Sequence, residues 1–130
     1  LIKLDKWQKK YNTHIIKSFD LMAEFEALIS ISILSYNHPS WVLPMIKDEF
    51  GFIANDLGHP LITESKRVNN SFQLQQHATV DVITGSNMAG KSTFLRTIGI
   101  NMVLAFAGAK VCADHFETSV FNLLSTKFYN

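Results

Sequence analysis

The chain has 130 residues, with 12 Lys and Arg against 11 Asp and Glu and a formal net charge of +1. That length suits one ordinary domain with one core, and so even a balance gives no global argument for nucleic acid, although a local basic patch stays open. Cys112 is the single cysteine, which excludes an internal disulfide framework or a cysteine-cluster zinc site and fits a reducing, cytoplasmic setting.

Residues 4 to about 36 read as one long helix or two in series. Leu4, Trp7, Tyr11, Leu21, Phe25 and Leu28 fall on a heptad-like seam that His14 and Ser18 interrupt. Ile15, Phe19, Met22, Ile29 and Ile33 make a second stripe beside it. Together they form a broad apolar face suited to packing against a body. Glycine and proline are absent until Pro39, which favours an unbroken helix. Ile29-Ser30-Ile31-Ser32-Ile33 alternates as a strand would, but the flanking period is helical and no turn residue intervenes. Lys3, Lys6 and Lys10, with Lys9 nearby, read as a solvated face, with a phosphate-backbone or acidic-partner contact as the alternative. Glu24 and Glu26 are two apart on a helix and do not form a facing pair. Trp7 and Trp41 read as core anchors.

Asn37-His38-Pro39-Ser40 is a strong break, and Trp41-Val42-Leu43-Pro44 an apolar connector pinned to the body. His38 and His59, each beside a proline, read as turn-shaping residues. Past Phe50, short apolar runs alternate with turn residues. Phe52-Ile53-Ala54, Leu61-Ile62 and Phe72-Gln73-Leu74 are candidate strands, separated by Asn55-Asp56, Gly58-His59-Pro60 and Asn69-Asn70-Ser71. The best-supported strand is Thr79 to Thr84. No apolar run reaches the length of a membrane span and no secretory signal opens the chain, so no membrane segment is expected.

That strand feeds Gly85-Ser86-Asn87-Met88-Ala89-Gly90-Lys91-Ser92, the spacing of a phosphate-binding P-loop. Glycines let successive N–H groups turn toward one anion, and the following helix adds its free N–H groups and positive dipole end. In this pattern Lys91 reaches the β- and γ-phosphates and the Ser92 hydroxyl ligates Mg²⁺. The next helix, about Lys91 to Ala107, carries Phe94, Leu95, Ile98, Met102, Val103, Leu104 and Phe106. Beyond Lys91 and Ser92 only Arg96 and the stripe Thr93, Thr97, Asn101 are polar, so the sheet is expected on one side and another element on the other. Gly108 marks its end. Lys110 to Ala113 and about Phe121 to Phe128 look extended. His77 and His115 lack partners at metal-ligand spacing, and Cys112 reads as a small buried apolar residue.

The words around the loop carry a resemblance. Thr84 to Arg96, with Asn87-Met88 inside the loop and Ser92-Thr93-Phe94-Leu95-Arg96 after it, resembles the P-loop of the MutS mismatch-repair ATPase family. Gly58-His59-Pro60-Leu61-Ile62 looks like that family's His-Pro element, and Val68-Asn69-Asn70 like its apolar-x-Asn element. Gly108-Ala109-Lys110-Val111-Cys112-Ala113 looks like its Gly-x-x-Val-Pro-Ala segment, and Ala23 to Leu28 is similar to the core helix leading into its ATPase domain. The resemblance runs from roughly residue 15 to the end. Three positions depart from the pattern: Ser86 and Cys112 replace prolines, and Arg67 stands where an aromatic commonly stacks on adenine. A guanidinium can also stack on a base.

The resemblance implies an α/β fold: a P-loop NTPase fragment of ABC type with an N-terminal helical segment. It divides the chain into a helical lever and connector, 1–48, and the first part of a MutS-type ATPase domain, 49–130. The implied ligands are ATP and Mg²⁺, with Gly85, Ser86, Asn87, Met88, Ala89, Gly90, Lys91, Ser92 and Thr93 holding phosphate, Ser92 the metal, and Arg67 contacting the base. The implied partners are DNA, through the full-length protein, and a second ATPase domain in a dimer. The apolar run ending in Asp-Glu and the signature loop of the family do not appear; after the loop the only acids are Asp114 and Glu117. Together with a start at Leu1 and an end within an apolar run, this suggests a piece of a longer ATPase, cut before Walker B and inactive alone. Two alternatives stay open: a P-loop NTPase without a DNA role, or a non-enzymatic helical interaction module with a relic loop.

Overall fold

A computed structural model describes residues 2–74, 81–86 and 89–120. The chain divides into two compact units, 1–37 and 38–130.

The first unit is one α-helix, α1 (Ile2–Asn37). The alternating serines do not turn it into a strand, because their hydroxyls bond back along the helix. Ser30 Oγ donates to the Glu26 carbonyl at 2.9 Å and Ser32 Oγ to that of Leu28 at 2.8 Å. Ser18, which interrupts the seam, does the same to His14 at 2.8 Å. Such i−4 bonds satisfy the hydroxyl within the helix. Both apolar stripes are exposed: Phe19 is 64% accessible and Trp7, expected as a core anchor, 51%. Trp7 instead packs against Tyr11 one turn on, ring centroids 5.8 Å apart.

The second unit holds β1 (Met45–Lys47), β2 (Phe52–Leu57), β3 (Asn70–Leu74), α2 (Lys91–Phe106) and β4 (His115–Ser119). The strands form one sheet in the order β1-β4-β2-β3. β1 runs parallel to β4, while β2 is antiparallel to both β4 and β3. The architecture is thus mixed α/β. Leu61 and Ile62, expected as a strand, lie in turns, and Asp81 to Thr84 carry no strand. Thr79, Val80 and the stretch 121–128 lie outside the described residues.

Asn55-Asp56, expected as a turn, lies inside β2 as a bulge. The register with β3 slips between Ala54 and Leu57, and Asp56 takes a left-handed φ of 53°, which Asp tolerates better than most residues. One extra residue changes which side chains share a face. Phe52, Ala54 and Leu57 are therefore all buried, although strict alternation would put Leu57 opposite the other two.

Those three join Ile98, Met102, Ala105, Val111, Ala113 and Phe116 in the core. Phe116, Phe52, Phe72 and Phe94 form a relay of ring contacts from β4 across β2 and β3 to α2, with centroids 5.2, 6.0 and 5.6 Å apart. Helix α2 buries one face, while Val103 and Phe106 stay exposed; among the described residues no second element covers that side. The helix ends as expected at Gly108, whose φ is 77°. The Ala109 N–H donates to Leu104 O at 2.9 Å and the Gly108 N–H to Ala105 O at 3.1 Å, the two bonds of a Schellman motif.

The connector is pinned as expected. Trp41 is buried and stacks on His38, with ring centroids 4.0 Å apart and planes 10° from parallel. Val42 pairs with Val111 in an isolated antiparallel bridge, and Lys110 Nζ donates to Pro39 O at 3.1 Å.

Candidate phosphate-binding site

The N-terminus of α2 is built without a side-chain cap. Gly90 is the N-cap residue, with φ 80° and ψ 6°. A Cβ there would meet nothing within 4 Å, so glycine is required by the left-handed backbone and not by crowding. The first helical N–H groups have no intrahelical partner. With no capping side chain in front of them, they and the dipole end present positive potential to solvent.

Lys91 folds back over the loop. Its Nζ donates to the Gly85 and Ser86 carbonyls, both at 2.6 Å, and its stem runs alongside Gly85. An ammonium has three N–H donors, so one remains for an external acceptor. Ala89 N–H closes the turn to Ser86 O at 3.2 Å, and Phe94 N–H opens the helix ladder to Gly90 O at 2.9 Å. The Ser92 hydroxyl is half-buried and makes no hydrogen bond with the described residues. Gly85, Ser86, Ala89, Gly90 and Lys91 are therefore gathered at one end of α2, which Ser92 and Thr93 continue. Asn87 and Met88 lie outside the described residues.

This donor set fits a polyphosphate better than a bare metal ion. Uncapped N–H groups and one ammonium suit an anion. Among the described residues no group of three or more His, Cys, Asp or Glu could hold a metal. A single hydroxyl, Ser92, fits magnesium only in its usual manner, with phosphate oxygens and water completing the shell. Of the two acids after the loop, Asp114 is exposed and Glu117 is bonded to other side chains. Asp114 follows the bridge segment, its N–H bonded to Asn55 O at 3.0 Å. Glu117 is engaged by Lys47 through one carboxylate oxygen and by His115 Nε2 through the other at 3.0 Å. The Lys47 hydrogen bond holds the Glu117 carboxyl below the ordinary carboxylate range.

Arg67 belongs to a second cluster. Its Nε donates to Asn69 Oδ1 at 3.0 Å, and Asn69 Nδ2 to Asp56 Oδ2 at 2.9 Å. The side chain crosses so close to Gly58 that a Cβ there would sit 2.5 Å from Arg67 Nε. Gly58 O in turn accepts from Asn101 Nδ2 at 3.0 Å. Asn101 is ten residues beyond Lys91, about 15 Å along the helix axis, so this cluster adjoins the middle of α2 and not its N-terminus.

Comparison with known proteins bears on this loop and its surroundings. The family model for MutS domain V matches residues 81–128. A DNA mismatch repair protein MutS from Ehrlichia ruminantium (strain Gardel) is 34% identical over 112 residues, 85% of this chain. One of the same name from Streptococcus pyogenes serotype M5 (strain Manfredo) is 25% identical over 122 residues, 90% of this chain. The chain belongs to the MutS family. It spans 14% of the length of each of these curated relatives. Among the described residues of this MutS-family chain, no helix is long and apolar enough to cross a membrane.

Sequence reasoning missed three sets of residues in this MutS-family unit. Lys47, His115 and Glu117 meet only because β1 and β4 pair. Asp56 and Asn69 meet across the β2 bulge. Asn101 was one of a polar stripe, yet it is fully buried. Its place on α2, one turn beyond Thr97, was the only available signal.

Proposed function

We propose that this chain is the nucleotide-binding part of a MutS-family DNA mismatch repair ATPase, with residues 85–93 as the seat for the phosphates of ATP. The observation that carries this reading is Lys91, whose ammonium crosses the loop to two carbonyls and keeps a third donor at the mouth of an uncapped helix. In this reading the phosphates lie against the backbone of Gly85, Ser86, Ala89 and Gly90. The N–H groups of Lys91, Ser92 and Thr93 face them, and the Lys91 ammonium neutralises charge on the β- and γ-groups. Ser92 Oγ would be the protein ligand of Mg²⁺, which would supply neutralising charge to the phosphates. Arg67 offers a guanidinium face to the base.

Residues 1–48 then act as a helical lever and connector and 49–130 as the first part of the ATPase domain. The longer protein couples nucleotide state to DNA through such levers, and composite sites form where two ATPase domains meet. Phosphoryl transfer depends on placing charge and water. With Glu117 engaged by Lys47 and no acid among the described residues bonded to the loop, this chain binds nucleotide without turning it over.

A calorimetric titration with ATP and Mg²⁺ tests the reading. Binding that disappears in Lys91→Ala supports it, and absence of binding to the wild-type chain sinks it. Steady hydrolysis that requires Lys91 would overturn the statement that the chain does not turn ATP over.

A further inference from the structure

The Asn101 carboxamide is 0% exposed, beside the apolar side chains of Ile98, Met102 and Ala105. A polar group in such a place is tolerated only when its hydrogen bonds are made. Nδ2 donates to Thr97 O at 2.8 Å and to Gly58 O at 3.0 Å, and Oδ1 accepts the Cys112 backbone N–H at 2.8 Å. The two backbone segments are also bonded directly, Gly58 N–H to Cys112 O at 2.7 Å. One side chain on α2 therefore closes a ring with the end of β2 and the 110–113 segment.

This ring needs an N–H at position 112. The family pattern has proline there, and proline has none. The local backbone is otherwise suited to proline. Ala113 N–H donates to Val111 O at 3.0 Å across Cys112, and φ at Cys112 is not positive, as in an inverse γ-turn with a central φ near about −75°. Val111 before it is held in the bridge with Val42, an extended setting that a following proline accepts. The cysteine thus offers Asn101 a donor where a proline ring would press on its carboxamide oxygen.

We propose that Asn101 and the Cys112 N–H form a joint that transmits phosphate occupancy from the Lys91 loop to the Val42–Val111 bridge. Asn101 is here a positioning residue, and the proposal rests on the phosphate-binding function given above. Lys91 and Asn101 lie on one unbroken helix, so an anion that fixes the helix N-terminus also restrains the amide. The amide holds Cys112. The neighbouring Val111 exchanges two backbone bonds with Val42, at 2.9 and 3.3 Å. By linkage, a ligand favouring the closed joint also favours whatever the joint stabilises.

The test combines calorimetric titration of the 130-residue chain with magnesium tripolyphosphate and amide hydrogen exchange at Val42 and Val111. In the wild type, saturating tripolyphosphate is expected to slow exchange at both amides by about fivefold or more. Cys112→Pro removes the N–H and sets the ring Cδ where Asn101 Oδ1 lies, so the amide must turn away; it should still bind tripolyphosphate while losing the exchange response. The wild-type exchange response is decisive by itself, which keeps the test open if the proline variant does not fold. A wild type that binds with no change at Val42 and Val111 overturns the joint and leaves the phosphate site standing. So does a Cys112→Pro variant that responds as the wild type does, or one that keeps the native circular dichroism spectrum but loses binding. A wild type that does not bind tripolyphosphate overturns both proposals.

Discussion

The Lys91 ammonium lies 2.6 Å from the carbonyl oxygen of Gly85, six residues before it, and so ties the entrance of the loop to the helix that follows. Lys91→Met keeps the stem beside Gly85 and removes the charge. A hydrogen bond to a charged group contributes about 1.5–3 kcal/mol, so calorimetry should show magnesium ATP affinity falling by more than about tenfold. Because Lys91 is at the surface of the unit, the thermal midpoint should move little.

Asn101→Leu is expected to be among the most destabilising single changes in the second unit. It leaves Gly58 O and the Cys112 N–H without their side-chain partner inside the core. At about 1–3 kcal/mol for each unpaired buried group, the loss should be roughly 2–5 kcal/mol by urea unfolding. Cys112→Pro unpairs Asn101 Oδ1 and also crowds it with the ring Cδ, so it too should be destabilising.

Acid should weaken the β1–β4 pairing through Glu117. The Lys47 hydrogen bond is the main cause of its depressed pKa. Partial burial opposes this, and the charges of Lys47 and His115 reinforce it. A depressed folded-state value means that the carboxylate stabilises the fold above its unfolded pKa, and that this contribution is lost as pH falls through the folded one. The thermal midpoint should therefore drop on acidification below the ordinary glutamate value of 4.5. Glu117→Gln should have a lower midpoint at neutral pH and a flatter acid limb.

Cys112 should resist thiol reagents until the unit opens. Burial pushes its pKa up, and the opposing charge of Arg67 does not cancel this. Its side chain is also inaccessible, and only the thiolate reacts. Ellman's reagent at pH 8 should modify the native chain far more slowly than the urea-unfolded one, and equal rates would contradict the buried placement.

Local sequence was most informative where hydrogen bonds close within a few residues. The absence of glycine and proline before Pro39 and the flanking helical period outweighed the alternating serines, and α1 is one helix. Gly108 ended α2 where a left-handed residue can close a Schellman motif. The P-loop spacing marked the stretch whose described members meet around Lys91. Periodicity failed where the partner lay far along the chain. β1 and β4 are too short to alternate legibly; β4 is a strand because β2 pairs with it, and β1 because β4 does. Leu61-Ile62, apolar but lacking a partner strand, falls in turns.

By itself the sequence determined the two helices, the glycine that ends α2, the pinned connector at Trp41 and membership of the MutS family. These depend on patterns a few residues long. Only the tertiary structure decided that Thr97 and Asn101 point inward, that Asn55-Asp56 is a bulge, and that Glu117 is taken by Lys47. A helical period distinguishes polar from apolar faces, but it does not reveal buried backbone groups that need a partner. Gly58, 43 residues before Asn101, and Cys112, 11 after it, expose such groups at the helix face, and that need draws an amide into the core.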